Sequence, residues 1–130
     1  MLLELFDCDA QVINNLETVK GALVEAAKRA EATIVDVVFH EFNPFGISGV
    51  VVIAESHLSI HTWPEYRYAA VDIFSCGDVL KPDVAANYLV EQFGAERASI
   101  VELQRGVFVQ SAAPLLHKPV GFPEIGRAHV

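Results

Sequence analysis

Apolar positions recur along this chain at two periods, and the switches between them mark its elements. Residues 2–6, Leu-Leu-Glu-Leu-Phe, read as a short strand. Beyond them Leu16, Val19, Leu23, Ala26 or Ala27, and Ala30 follow helical spacing, with Glu17, Lys20, Lys28 and Arg29 largely on the other side. Asn14 or Asn15 is the candidate cap of this helix. The period then drops to two. Over residues 32–42, Thr33, Val35, Val37 and Phe39 alternate with Ile34, Asp36, Val38 and His40, and Asn43-Pro44-Phe45-Gly46 is a turn signal. Residues 49–54 form a buried strand by composition. Leu58, Ile60 and Thr62 alternate with His57, Ser59, His61 and Trp63 in another strand, which Pro64 ends. Residues 68–74 are strand again. Pro82 suits the first turn of a second helix carrying Val84, Ala85, Tyr88, Leu89 and Phe93, with Gly94 as its stop. A last strand covers 98–103, residues 107–109 are placed to prolong the sheet, and the proline-bearing tail 113–130 is expected to be irregular.

This order predicts a single α+β domain over residues 1–130, a two-layer sandwich with a largely antiparallel sheet covered on one face by two helices. The second face reads as too apolar to leave wet. A second copy of the chain is the simplest cover, which predicts a homodimer.

Composition narrows the function classes. Of 130 residues 52% are hydrophobic, enough for a sizeable core, and 20% are charged. A net charge of −8 disfavours nucleic acid and anionic membranes as partners, since both need basic patches. No apolar run is long enough for a membrane span, and the acid-interrupted start is not a signal peptide. Cys8 and Cys76 have no metal-like spacing, so free thiols in a cytoplasmic protein are expected.

The chemistry concentrates between residues 42 and 77. Gly46-Ile47-Ser48-Gly49 leads into the apolar run Val50-Val51-Val52-Ile53-Ala54, which stops at Glu55-Ser56-His57. His61, Trp63, Pro64 and Glu65 follow, and Phe74-Ser75-Cys76-Gly77 closes the segment. This segment resembles the self-processing region of the small prokaryotic S-adenosylmethionine decarboxylase proenzymes. The resemblance implies that Ser56 attacks the carbonyl of Glu55, turning an amide into an ester. Loss of the α-proton of residue 56 then expels the Glu55 carboxylate, and the dehydroalanine left behind hydrolyses to a pyruvoyl group. Two chains result, 1–55 and 56–130, the second opening with a keto-amide. Such a group forms a Schiff base with a substrate amine and accepts electrons as CO₂ leaves, so no external organic cofactor is needed.

By the same resemblance, Ser48 and His61 assist self-cleavage, His61 as the processing base. Cys76 donates the proton to the decarboxylated carbon, and Phe42, Trp63 and Glu65 bind substrate. The expected activity is decarboxylation of S-adenosylmethionine to the aminopropyl donor of polyamine (spermidine) synthesis. Phe42 and Trp63 suit an adenine and a sulfonium, and Glu65 suits ribose hydroxyls or the cationic centre. Plainer readings stay open at each position: Ser48 as a turn hydroxyl, Cys76 as a small buried hydrophobe, Phe42 and Trp63 as core.

Four other readings compete. His57 and His61 invite a metal, but four residues along a strand span roughly 13 Å, so no metal is expected. A Cys76–His61 hydrolase leaves Glu55-Ser56 unexplained. Arg67, where the family commonly has glycine, places a cation beside the substrate segment and keeps a pyruvoyl-dependent arginine or ornithine decarboxylase as the alternative. A non-enzymatic homologue would have no physical need for Ser48, Ser56, His61 and Cys76 together. The start at Leu2 is shorter than the family's usual lead-in. Finally, Ser56 and His61 are five residues apart, about 16 Å along a strand and on opposite faces. If both act at one bond, the simplest geometry takes His61 from a second chain, and each site is then shared across the dimer.

Overall fold

A computed structural model of the chain describes residues 1–75 and 80–106. Six strands form one sheet: β1 (Leu2–Phe6), β2 (Ile34–Glu41), β3 (Ile47–Ile53), β4 (Ser56–Trp63), β5 (Tyr68–Ser75) and β6 (Arg97–Val101). Their spatial order is β2-β3-β4-β5-β1-β6, and every neighbouring pair is antiparallel. Strands β2 to β5 are a meander joined by short turns. The first and last strands, β1 and β6, meet on the far side through the returning chain.

Three helices accompany the sheet: α1 (Ala10–Ile13), α2 (Leu16–Arg29) and α3 (Pro82–Gln92). The sequence pattern misses α1, which is only one turn long. Its Asp9 caps the amides of Gln11 and Val12. Asn15, of the two candidates, caps α2 by accepting from the Thr18 amide at 2.9 Å. Phe93 closes α3, and Gly94 follows with φ 64°, the left-handed stop that glycine adopts readily.

Alternation sorts the strands into two faces. Leu3, Leu5, Ile47, Val51, Ile53, Leu58, Ile60, Ala69, Val71 and Ile73 are buried against Val19, Leu23, Ala26 and Ala27 of α2 and Ala85, Ala86 and Leu89 of α3. The two-layer expectation is met. Boundaries move by one or two residues: β3 begins at Ile47, β4 at Ser56, and β6 covers Arg97–Val101 rather than 98–103. In β2 the register shifts between Ile34 and Asp36. This bulge lets Ile34 join Val37 and Phe39 against the core, and leaves Val35 65% exposed instead of in line with them.

The second face is less uniformly apolar than its composition suggests. Cross-strand pairing places Ser48 opposite His61, Val50 opposite Ser59, Ser59 opposite Asp72 and His57 opposite Phe74. Valines and aromatics are thus interleaved with groups able to do chemistry. The expected strand at 107–109 and the tail 113–130 lie outside the described residues. No described helix is long and apolar enough to cross a membrane.

Candidate active site

One end of the β3–β4–β5 sheet gathers five of the predicted residues. Phe42, Phe45, Gly46, Ser48, His61, Thr62, Trp63 and Glu65 line a pocket of about 300 Å³. The loop between β2 and β3 is fastened here: the Phe42 amide donates to Gly46 O at 2.8 Å, and the Gly46 amide donates to Asn14 Oδ1 at 3.0 Å. Thr62, also in this lining, turns its side chain to the core. Its buried hydroxyl accepts from the Ile47 amide and donates to Ile13 O, both at 2.9 Å, tying α1, β3 and β4 together.

Ser48 and His61 face each other across β3 and β4, with Oγ and Nδ1 2.7 Å apart. Ser48 lies within a strand and is no turn hydroxyl: its partner is an imidazole on the neighbouring strand. Phe42 is 48% exposed and Trp63 39%, so neither is a core residue. Trp63 stacks on Tyr68 (centroids 5.3 Å), which stacks on Phe6 (5.5 Å). Tyr68 is a member of this aromatic row that the sequence reading did not single out. Its hydroxyl donates to Glu4 at 2.5 Å, and burial followed by that bond to a carboxylate pushes its pKa up to about 12, so it stays a neutral donor.

Ser56 stands apart. It begins β4 directly after the two-residue turn Ala54–Glu55, with Ile53 and Ser75 as its cross-strand neighbours. The Glu55 carboxylate accepts from the Thr33 amide at 3.1 Å, and the Ala54 amide donates to Thr33 O at 2.8 Å, so the turn is held on both sides of the chain. The bend that an attack on the Glu55 carbonyl requires is therefore present, and both strands flanking the bond are secured in the sheet. A group generated from Ser56 itself sits at the very end of the β3–β4 ladder, whose pairs from Val52 and His57 onward do not involve residue 56. His61 does not approach Ser56 within the chain. The imidazole that does is His57, with Nδ1 3.2 Å from Ser56 Oγ and Nε2 3.4 Å from Asp72 Oδ2. Asp72 was also missed; its signal is an acid set inside the otherwise apolar Ala69-Ala70-Val71-Asp72-Ile73-Phe74.

His57 and His61 thus serve different partners. Among the described residues no group of three His, Cys, Asp or Glu side chains is clustered for a metal. Cys76 lies outside the described residues. Cys8 is a free, fully buried thiol, and burial pushes its pKa up to about 11 despite the nearby Arg67 cation. Arg67 turns away from the pocket. Its Nε donates to Cys8 O at 2.7 Å and its Nη2 to Asp7 O at 3.3 Å. Its backbone is left-handed (φ 52°) after the 3-10 turn Pro64–Tyr66, a conformation that glycine adopts without penalty.

Comparison with known proteins agrees with this architecture. A family model described as S-adenosylmethionine decarboxylase matches residues 1–106. The S-adenosylmethionine decarboxylase proenzyme of Thermodesulfovibrio yellowstonii is 58% identical over 118 residues, 91% of this chain and 87% of that protein. That of Acetivibrio thermocellus is 51% identical over 108 residues, 83% of this chain and 87% of its own. The crystal structure of the adenosylmethionine decarboxylase from Aquifex aeolicus superposes with a TM-score of 0.71 at 38% identity, covering 78% of this chain and 89% of that one.

Proposed function

The chain belongs to the S-adenosylmethionine decarboxylase family, and from that premise we propose that it is made as a proenzyme, cuts itself between Glu55 and Ser56, and decarboxylates S-adenosylmethionine to an aminopropyl donor for polyamine synthesis. The observation that carries this reading is the placement of Ser56 immediately after a tight turn between two strands secured in the sheet. Self-cleavage there yields chains 1–55 and 56–130 that stay associated through the β3–β4 pairing.

The pyruvoyl group derived from Ser56 supplies an electron sink for the carbon that loses CO₂. The protein's own residues do the rest. Ser48 and His61, 2.7 Å apart, form the pair that handles protons during processing, with His61 as the base. Phe42 and Trp63 offer exposed aromatic faces to the adenine and the sulfonium, an attraction of about 0.5–2 kcal/mol per cation contact. Glu65 supplies a carboxylate to the ribose hydroxyls or the cation. Cys76 donates the proton that replaces CO₂. No cation intrudes from Arg67, whose guanidinium is held by backbone carbonyls away from the pocket lining. The arginine or ornithine alternative, which rested on that residue, is not favoured.

The pocket and Ser56 occupy opposite ends of β4, roughly 16 Å apart by strand rise. A twofold homodimer that sets one protomer's Ser56 and Cys76 against its partner's Ser48 and His61 completes two sites at once. The interleaved second face of the sheet is the surface for it.

Intact-mass spectrometry of the purified protein tests the core of the proposal. The expected result is two species matching residues 1–55 and 56–130, the larger resistant to Edman degradation and reactive toward borohydride. Ser56→Ala stays one chain and is inactive. A wild-type protein fully active on S-adenosylmethionine as a single uncut chain would refute it.

A further inference from the structure

The side chain in contact with the scissile serine is His57, and behind it stands Asp72. We propose that His57 is the base that starts self-cleavage, by activating Ser56 for the acyl shift, and that Asp72 is its positioning residue. This rests on the self-cleavage reading above. It divides the two proton transfers between two histidines: His57 for the first step, His61 for the later elimination.

The geometry is a relay of three groups. Ser56 Oγ lies 3.2 Å from His57 Nδ1, and His57 Nε2 lies 3.4 Å from Asp72 Oδ2. A carboxylate only accepts, so the Asp72 contact places the imidazole proton on Nε2. Nδ1 is then left with its lone pair toward the Ser56 hydroxyl. These distances are long for finished hydrogen bonds, as is usual before a reacting group settles into place. Side chains of His57 and Asp72 are 33% and 28% exposed, so the relay sits on the open face. It is framed by Val52 on β3 and Phe74 on β5, the cross-strand neighbours of His57. Arg105 Nη1 approaches the same Asp72 oxygen at 3.7 Å, and its guanidinium lies 3.9 Å over the Phe74 ring. The same carboxylate oxygen thus faces both the imidazole and a guanidinium.

The step balances without an added reagent. Ser56 Oγ bonds to the Glu55 carbonyl carbon as its proton passes to His57 Nδ1. The bond from that carbon to the Ser56 nitrogen breaks, and His57 returns the proton to the departing amine. An ester with a free amine at residue 56 results. His61, toward the opposite end of β4, has no access to Ser56 Oγ in the same chain and is left for the elimination.

The test separates the steps with hydroxylamine, which cleaves an ester but not an amide. Wild type, His57→Ala, His57→Gln and His61→Ala proteins are followed by denaturing gel and intact mass, with circular dichroism to confirm folding. His57→Ala should process at least about 100-fold more slowly, as expected for loss of a general base. It should remain uncut by hydroxylamine and recover cleavage when imidazole is added. His61→Ala should accumulate ester and be split by hydroxylamine. Where His57→Ala fails to fold, His57→Gln, which preserves bulk, must likewise be inert to hydroxylamine. In Asp72→Asn the amide can donate to Nε2 and invert the tautomer, so processing should fall at least about tenfold. ¹⁵N spectra of the Ser56→Ala chain should show His57 protonated on Nε2, and on Nδ1 once Asp72→Asn is added. An uncut wild-type chain refutes self-cleavage itself. A wild type that cuts refutes only the His57 assignment if the folded His57 variants process within threefold of it, are split by hydroxylamine, or give no imidazole rescue in His57→Ala.

Discussion

Replacing Thr62 by valine removes one buried oxygen beneath the strand that carries His61 and Trp63 and changes almost no volume. Thr62 is 6% exposed, and its hydroxyl is used twice, accepting from the Ile47 amide and donating to Ile13 O at 2.9 Å each. Valine leaves one buried donor and one buried acceptor without those partners. Each is expected to cost about 1–3 kcal/mol, so the variant should be destabilised by about 2–6 kcal/mol. For a domain of this size that lowers Tm by roughly 10 °C or more. Thr62→Ser keeps both bonds and loses only a methyl group, about 1 kcal/mol. The assay is urea denaturation followed by circular dichroism at one fixed protein concentration. A Ser56→Ala background ensures that one continuous chain unfolds. The expected order of stability is wild type, then Thr62→Ser, then Thr62→Val. If Thr62→Val proves the more stable of the two variants, the site is held by apolar packing, and the reasoning that ties α1, β3 and β4 through this hydroxyl is wrong.

Other outcomes follow from the same geometry. Co-expression of Ser56→Ala with His61→Ala chains should restore part of the cleavage that neither shows alone, because a mixed dimer rebuilds one complete site; processing by a strictly monomeric wild-type protein would contradict this. Arg67→Gly exchanges two contacts to backbone carbonyls for relief of a left-handed backbone, so stability should change by only about 1 kcal/mol. Turnover of S-adenosylmethionine should be unchanged in that variant, and a large rise in KM would put Arg67 back in the pocket. Cys8, with its pKa raised from 9.0 to about 11, should resist iodoacetamide at pH 8 in the folded protein. The linked stability is complete below pH 9 and is lost as pH rises through 11, where the unfolded thiol ionises first. Cys8→Ala should flatten that part of the stability–pH curve, and rapid native alkylation at pH 8 would show that the thiol is not buried.

Much of the fold is legible in the chain because burial on one face imposes a period, and the period survives in the sequence. Val19, Leu23, Ala26 and Ala27 on α2, and Leu58 and Ile60 on β4, are buried where their spacing predicts. The single-turn α1 leaves no period to read, and the bulge at Ile34 and Asp36 breaks parity through backbone geometry that residue types do not announce. Candidate residues were legible for a different reason: Glu55-Ser56-His57 interrupts an apolar run where no core would tolerate it. That local rule cannot say who meets whom. Asp72 is fifteen residues from His57 and Ser48 thirteen from His61, and only the antiparallel register of β3, β4 and β5 turns those separations into contacts of 3.4 and 2.7 Å.

By itself, then, the amino-acid sequence determined the family and, α1 apart, the order of the described elements, and it singled out Glu55-Ser56 as the candidate bond. Those properties reside in local composition and in periods of two and 3.6 residues. The tertiary structure alone decided that His57, and not His61, faces Ser56 within the chain. It also turned Arg67 toward the carbonyls of Asp7 and Cys8 and set the pocket at the end of β4 opposite Ser56. Each of these depends on strand pairing and side-chain direction, which join residues distant along the chain and therefore leave no periodic trace within it.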